Sequence, residues 1–371
     1  MFRTTRFLIV TISIVIIAIV MIIVFILPTN ANYFSVNSQN LNSAIQSLNK
    51  SIVPLDQIVS GGPPPDGIPS IEDPEFVSVE NAENFMSESD LILGVSINGD
   101  VRGYPLQILV WHEIVNDIVG GNPIAVTYCP LCFTNQIFNR TITDGQTLEF
   151  GTSGKLYNSN LVMYDRNTDS LWSQAMAQSI AGELSGVILE RIPFDLVTWK
   201  DWIKVYPDSK VLSQDTGHLR PYGADPYGDY YTSPDILFPV SNNDNRLGKK
   251  EIVIGLEGEN GISKAYKMGD IEELKVIDDK LTENSYVTLW STFPYMVRLF
   301  DPFLDGKTPL TFHYDERKNV FRDNQTGSEW NFDGKSTAGQ LSGSSLMRIP
   351  FDQGFWFEWS TFHPNTEVYK N

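Results

Sequence analysis

"LSGVILERIPFDLVTWKDWIKVYPDSKVL" at residues 184–212 returns as "LSGSSLMRIPFDQGFWFEWSTFHPNTEVY" at residues 341–369. Both stretches carry Arg-Ile-Pro-Phe-Asp, at 191–195 and 348–352, and Trp202 falls over Trp359. Upstream, "DRNTDSLW" (165–172) answers "DNQTGSEW" (323–330), with Trp172 over Trp330. Further back, "ILGVSINGDVRGYPLQIL" (92–109) answers "VIGLEGENGISKAYKMGDI" (253–271), with Tyr104 over Tyr266. Residues of about 88–216 and 250–369 therefore read as two copies of one unit of roughly 120 residues, a self-similarity that governs the architecture.

Within each unit the local signal is β. "LILGVSI", "PIAVTY", "TNQIFNRTI", "QTLEF" and "LVMYD" are short, rich in β-branched and aromatic residues, and separated by turn signals such as "NGD", "GGNP" and "TDG". One late helix is expected, "TWKDWIKVYP", opening at Thr198 and ending before Pro207. Long alternating strand–helix units are absent, which argues against a doubly wound sheet. The expected fold is mostly β (α+β with few helices), two tandem β-rich units forming one ectodomain behind an N-terminal transmembrane helix.

That helix is read from residues 7–27, a run of 21 residues without a charge that follows Arg3 and Arg6. At about 1.5 Å per residue the run spans a hydrocarbon core, and it exceeds a secretory signal core of about 7–15 residues. The basic flank places the remainder outside the cytoplasm, giving a single-pass membrane protein with its C-terminal domain extracytoplasmic. "PTNANYF" leaves room for a cleavage site. The organisation expected is an anchor (1–30), a flexible tether (31–65), a first unit (66–216), a Pro-, Gly- and Tyr-rich connector (217–249) and a second unit (250–371). Asn49, Asn139 and Asn324 sit in N-x-S/T sequons. The net charge is 27 − 45 = −18, with no basic stripe, so nucleic acid is excluded as a partner.

Duplication supplies an internal control: what both halves keep is explained by fold, and what one half keeps is a candidate for chemistry. Trp172/Trp330, Trp202/Trp359, Arg191/Arg348 and the Pro-Phe-Asp after each arginine are shared and read as core and turn residues. In a gapless alignment of 115–133 with 277–295, Cys129 faces Ser291 and Cys132 faces Pro294. These are the chain's two cysteines. His112 faces Leu274, and Met163 faces Phe321. The first half also carries four extra residues between Phe150 and Val162, compared with the segment after Phe312. The site is therefore expected in the first half.

A Cys-x-x-Cys pair has several uses. As a disulfide it closes so short a loop that little unfolded-state entropy is removed. As a redox pair one thiolate is attacked and the other resolves, Cys129 attacking and Cys132 resolving, although the strand-like flanks differ from the helix start such pairs normally occupy. As metal ligands the two thiolates form half a site, to be completed by His112 and Met163. That soft set suits copper first and zinc second. Inert buried thiols are the remaining reading. Glu113, read on a strand beside His112, points to the other face, and "HEIVN" lacks the second His of a metalloprotease helix. "FGTSGKLYNSN" lacks P-loop spacing and is expected to line the site with Ser153, Lys155, Asn158 and Asn160. No catalytic acid, base or nucleophile set beyond the cysteines is identifiable.

"GYPLQILVWHEIVNDIVGGNPIAVTYCPLCFTNQIFNR", "FGTSGKLYNSNLVMYDRNTDSLWSQ", "DPYGDYYTS" and "RLGKKEIVIG" resemble the DUF3179 family over about residues 66–369. The resemblance implies an extracytoplasmic protein whose hallmarks are carried by His112–Asp117 and Tyr128–Cys132, and it supplies no reaction. The family usually has Gly after the second Cys, where this chain has Phe133. Three functions are thus expected in order: a soft-metal, copper-type centre for metal binding or electron transfer, a thiol–disulfide oxidoreductase, and a non-catalytic interaction module. The partners implied are the membrane and a redox or metal-donor protein.

Overall fold

The computed structural model describes residues 50–371 apart from 284, 305 and 307. The expected anchor at 1–30, the first part of the tether (31–49) and the Asn49 sequon lie outside the described residues. Among those residues no helix is long and apolar enough to cross a membrane. Strands dominate, and four of the α-helices are seven residues long. Residues Asn49–Asn371 form one compact unit.

The expected late helix forms as Trp199–Val205, with Thr198 at its N-terminal boundary. Thr198 does not cap the backbone there; its hydroxyl donates to Asp201 at 2.9 Å. A second helix was read as strand: Leu106–His112 is helical and ends on Glu113 at φ 59°. Its apolar run is buried almost throughout, which hides helical period from the sequence. The tether also ends earlier than expected. Ile58–Ser60 pairs with Lys155–Tyr157, and Ser51 bridges Ala181, so backbone groups before the Pro-rich segment find partners on strand edges.

Positions paired by the sequence alignment make matching bonds. Tyr104 donates to Asp117 at 2.6 Å and Tyr266 to Asp279 at 2.7 Å. The indoles of Trp172 and Trp330 donate to Asp165 and Asp323 at 2.8 and 3.0 Å. Trp202 and Trp359 donate to Ser209 and Thr366. Each of the latter rings lies flat against a glycine strand: a Cβ on Gly94 or Gly255 would meet the indole at 2.0 or 2.2 Å, so only glycine fits at either position.

What positions the site is the way strands cross between halves. A seven-stranded sheet runs in the order Glu367–Val368, Ser263–Lys267, Ile252–Glu257, Asp352–Phe355, Thr134–Asn139, Asn122–Cys129, Ile114–Val119. The last three strands come from the first half and the other four from the second. The junction is narrow, with Gln353 opposite Asn135, and Phe355 N–H donates to the Cys132 carbonyl at 2.8 Å. At the corresponding place on the other side, Asp195–Thr198 lies beside Met296–Asp301. There the bond between halves is ionic. Arg298 (1% exposed) reaches Asp195 (3% exposed) at 2.7 Å, and Arg348 reaches the same carboxylate at 2.9 Å. Burial pushes Asp195 up, but the two guanidinium groups outweigh it and hold the carboxyl well below the usual range.

Replacing Arg298 with Met strips the main partner from a buried carboxylate. The expected cost is about 3–5 kcal/mol, read from the midpoint of urea unfolding. Gln136→Met, which removes a neutral partner at the matching position, should cost only about 1–2 kcal/mol.

Candidate functional site

Cys129 ends the strand Asn122–Cys129 and faces Thr134 across the hairpin. The turn between them is closed by Cys132 N–H to the Cys129 carbonyl at 3.3 Å. Both thiols are free and buried, and the Cys132 Sγ lies 3.8 Å from the Cys129 carbonyl. Phe133 then adopts φ 55°. This left-handed conformation is where glycine is at ease, which explains the residue usual in the resembling family. The phenyl compensates by stacking on Phe355 of the second half at 5.5 Å and 20°.

The four extra residues of the first half lengthen a hairpin. Phe150–Tyr157 and Asn160–Asp165 are joined through Asn158 and Ser159, both at positive φ. The tip reaches the cysteines: Asn160 Nδ2 donates to Cys132 Sγ at 3.1 Å, and the Ser159 carbonyl lies 4.0 Å from Cys129 Sγ. Of the four residues expected to line the site, Asn160 therefore touches a thiol. Asn158 instead accepts from Ser241 N–H at 2.9 Å and holds the connector. Ser153 and Lys155 are corrected. They lie within a strand at a bulge, where Ser153 donates to the Val162 carbonyl and Lys155 pairs with Ser60, away from the tip.

His112 is corrected as a partner of the thiols. Its Nδ1 is 2.7 Å from the Pro69 carbonyl and its Nε2 is 2.6 Å from the Tyr222 hydroxyl, so both ring nitrogens are committed. Burial lowers its pKa to about 4, leaving the ring neutral at pH 7. Met163 is a core residue, paired across strands with Thr152 and Trp172. Among the described residues no group of three or more His, Cys, Asp and Glu side chains is placed to hold a metal ion.

Other residues surround the thiols instead. Glu358, in the helix Trp356–Phe362 of the second half, lies near Cys132 and Thr134, and neither its Oε2 nor Thr134 Oγ1 has a hydrogen-bond partner. Burial, then neighbouring Asp352 and Cys132, push the Glu358 carboxyl well above its ordinary value. Asp352, the counterpart of Asp195, accepts from Gln136 at 3.0 Å where Asp195 has Arg298. Burial lifts it to about 7, against the pull of Arg191. Glu113 is buried beneath the connector near Tyr227 and is lifted by burial to about 8. Its helix-end position, rather than a strand position, is why it turns inward. The Cys132 thiol is itself raised well above its ordinary value by burial and by Cys129.

The connector covers this cluster with tyrosines. Tyr230 donates to the Leu131 carbonyl at 2.7 Å, and Tyr231 meets the Tyr128 hydroxyl at 3.4 Å. Lys250 sits 3.3 Å from the centre of the Tyr230 ring. Sequence reasoning treated these tyrosines as linker; their density within "DPYGDYYTS" was the available signal.

The family profile described as "Protein of unknown function (DUF3179)" matches residues 65–366. No curated protein and no solved structure matches the chain.

Two outcomes follow from this geometry. Folded Glu113 and Asp352 keep their protons to about 8 and about 7, whereas the unfolded chain loses them near about 4. Over that window the folded state holds more protons, so stability should fall as pH rises from about 5 to 7, with the Glu113 and Asp352 contributions spent above about 8. Glu113→Gln should flatten the slope by up to about 1.4 kcal/mol per pH unit, measured by urea unfolding across pH. Phe133→Gly relieves the backbone but loses the stacked ring, and should be destabilising by a net of about 2 kcal/mol in the same assay.

Proposed function

The chain belongs to the DUF3179 family, and from that premise we propose that its cysteine pair is a dithiol redox centre working outside the cytoplasm, tethered to the membrane by the N-terminal apolar segment. The observation that carries this reading is the pair of free, buried thiols on one tight turn, at the place where the halves differ. The oxidant is of the small-disulfide class, since both sulfurs lie beneath the tyrosine cover and no protein surface reaches them as they stand.

The step balances as thiol–disulfide exchange. Cys129 thiolate attacks one sulfur of the small disulfide, forming a mixed disulfide and expelling a thiolate that takes up a proton. Cys132 thiolate then attacks the Cys129 sulfur, closing the intramolecular disulfide and releasing the second small thiol. Two electrons and two protons pass from the dithiol to the two small thiols. Asn160 donating to Cys132 Sγ favours the sulfur anion, while burial and Cys129 oppose it. Ring closure is thus the step that waits on the Cys132 thiolate and quickens as pH rises.

Reduced protein treated with hydroxyethyl disulfide should lose two hydrogens by mass spectrometry, with the rate of ring closure still rising above pH 9. Cys132→Ser should halt at the mixed disulfide, and Cys129→Ser should not react. A wild-type chain that stays reduced, or a Cys129→Ser variant that forms the adduct, would sink the reading. Copper enters as an outcome of a parallel experiment. One Cu(I) retained per chain and lost in the double Ser variant, together with inert thiols, would replace the redox reading with a two-thiolate soft-metal site.

A further inference from the structure

Beside the cysteine turn lies a cavity of about 310 Å³, lined among others by Asp90, Gln107, Tyr128, Phe133, Asp225 and Tyr231. It is bounded by the Leu106–His112 helix on one side and by the connector on the other. Three of its residues are aromatic and stand at steep angles. Tyr128 and Phe133 have centroids 6.1 Å apart at 86°, and Phe133 and Tyr231 are 6.4 Å apart at 77°. Edge-to-face contact at these spacings is the usual packing of aromatic rings, and all three rings border the cavity.

The polar complement is one-sided. Asp90 and Asp225 contribute carboxylates, and none of the lining residues is basic. Asp90 Oδ2 already accepts from Ser87 N–H and Gln107 Nε2, and Asp225 Oδ1 accepts from Tyr227 N–H. These bonds fix both carboxylates without cancelling their charge. Their field, in a chain of net charge −18, selects a cation. Ring faces attract a cation through their quadrupole and place no demand on it to donate hydrogen bonds. The volume sits at the small end of ligand cavities, near about 300 Å³.

We propose that this cavity binds a small organic ammonium of the quaternary class, with its cationic head among Tyr128, Phe133 and Tyr231 and within the field of Asp90 and Asp225. The site is independent of the dithiol reading, since no step of thiol exchange uses it. Tyr128 and Phe133 flank the cysteines in sequence, so an occupant lies against the wall of the same turn.

The test is calorimetric titration of the full chain with choline and with its uncharged isostere, 3,3-dimethyl-1-butanol. Choline should bind saturably and at least about tenfold more tightly than the alcohol, as cation–π attraction in a partly dry site requires. Tyr231→Leu should weaken choline about tenfold and leave the alcohol unchanged. Asp225→Asn, at an exposed position that does not threaten folding, should weaken choline about threefold and reduce its salt dependence. Equal affinity for the two probes would overturn the proposal in favour of a merely apolar recess. So would no choline binding up to about 10 mM, or a choline affinity untouched in both variants.

Discussion

Where Gln353 stands opposite Asn135, a strand of the second half closes against the hairpin that carries the cysteines. That closure fixes nearly everything else near the thiols. It brings the Phe355 amide onto the Cys132 carbonyl, lays Phe355 under Phe133, and swings the helix bearing Glu358 into the space behind the turn. The site is therefore composite. Its sulfur and Glu113 come from one half and Asp352 and Glu358 from the other, and neither half holds the arrangement alone.

The two crossings between halves differ in a single electrostatic choice. At one, Arg298 and Arg348 share Asp195, and a buried ion pair results. At the other, Gln136 stands where Arg298 would be, and Asp352 is left with an amide and the more distant Arg191. A carboxyl in that setting retains its proton, and Glu358 beside it does so more strongly. The fold thus runs one crossing as a structural rivet and the other as a cluster of carboxyls whose pKa values burial raises, next to a Cys132 thiol raised in the same way. Perturbed groups are thus concentrated at one of two otherwise matched places, the pattern from which the proposed site is argued.

Much of this was legible beforehand. The β-rich class, the helix over Trp199–Val205 and the shared tryptophans could all be read from residues alone. The extra residues after Phe150 pointed to the tip that delivers Asn160. What failed had physical reasons. A mostly buried, largely apolar stretch such as Leu106–Trp111 shows little period, so His112 and Glu113 were assigned to the wrong element. Asp352 and Glu358 looked like two acids among many, since their meaning depends on strands crossing between halves. Gln136 over Arg298 was visible in the alignment, but a search for soft ligands passes over the loss of an arginine.

The crossed strands also bear on what the connector is for. Asp352–Phe355 would have a bare edge without Thr134–Asn139, and the Cys129–Cys132 turn would lose its floor. The covalent link through residues 217–249 is thus not what holds the halves together; the shared sheet is. A chain cut once within the connector would remain a single particle, two fragments interlocked like clasped hands. The connector is left free to serve as a roof over the thiols, tied down by Tyr222, Tyr230 and Tyr231. A segment relieved of tethering duty can vary its path and its tyrosines while the body beneath it stays closed.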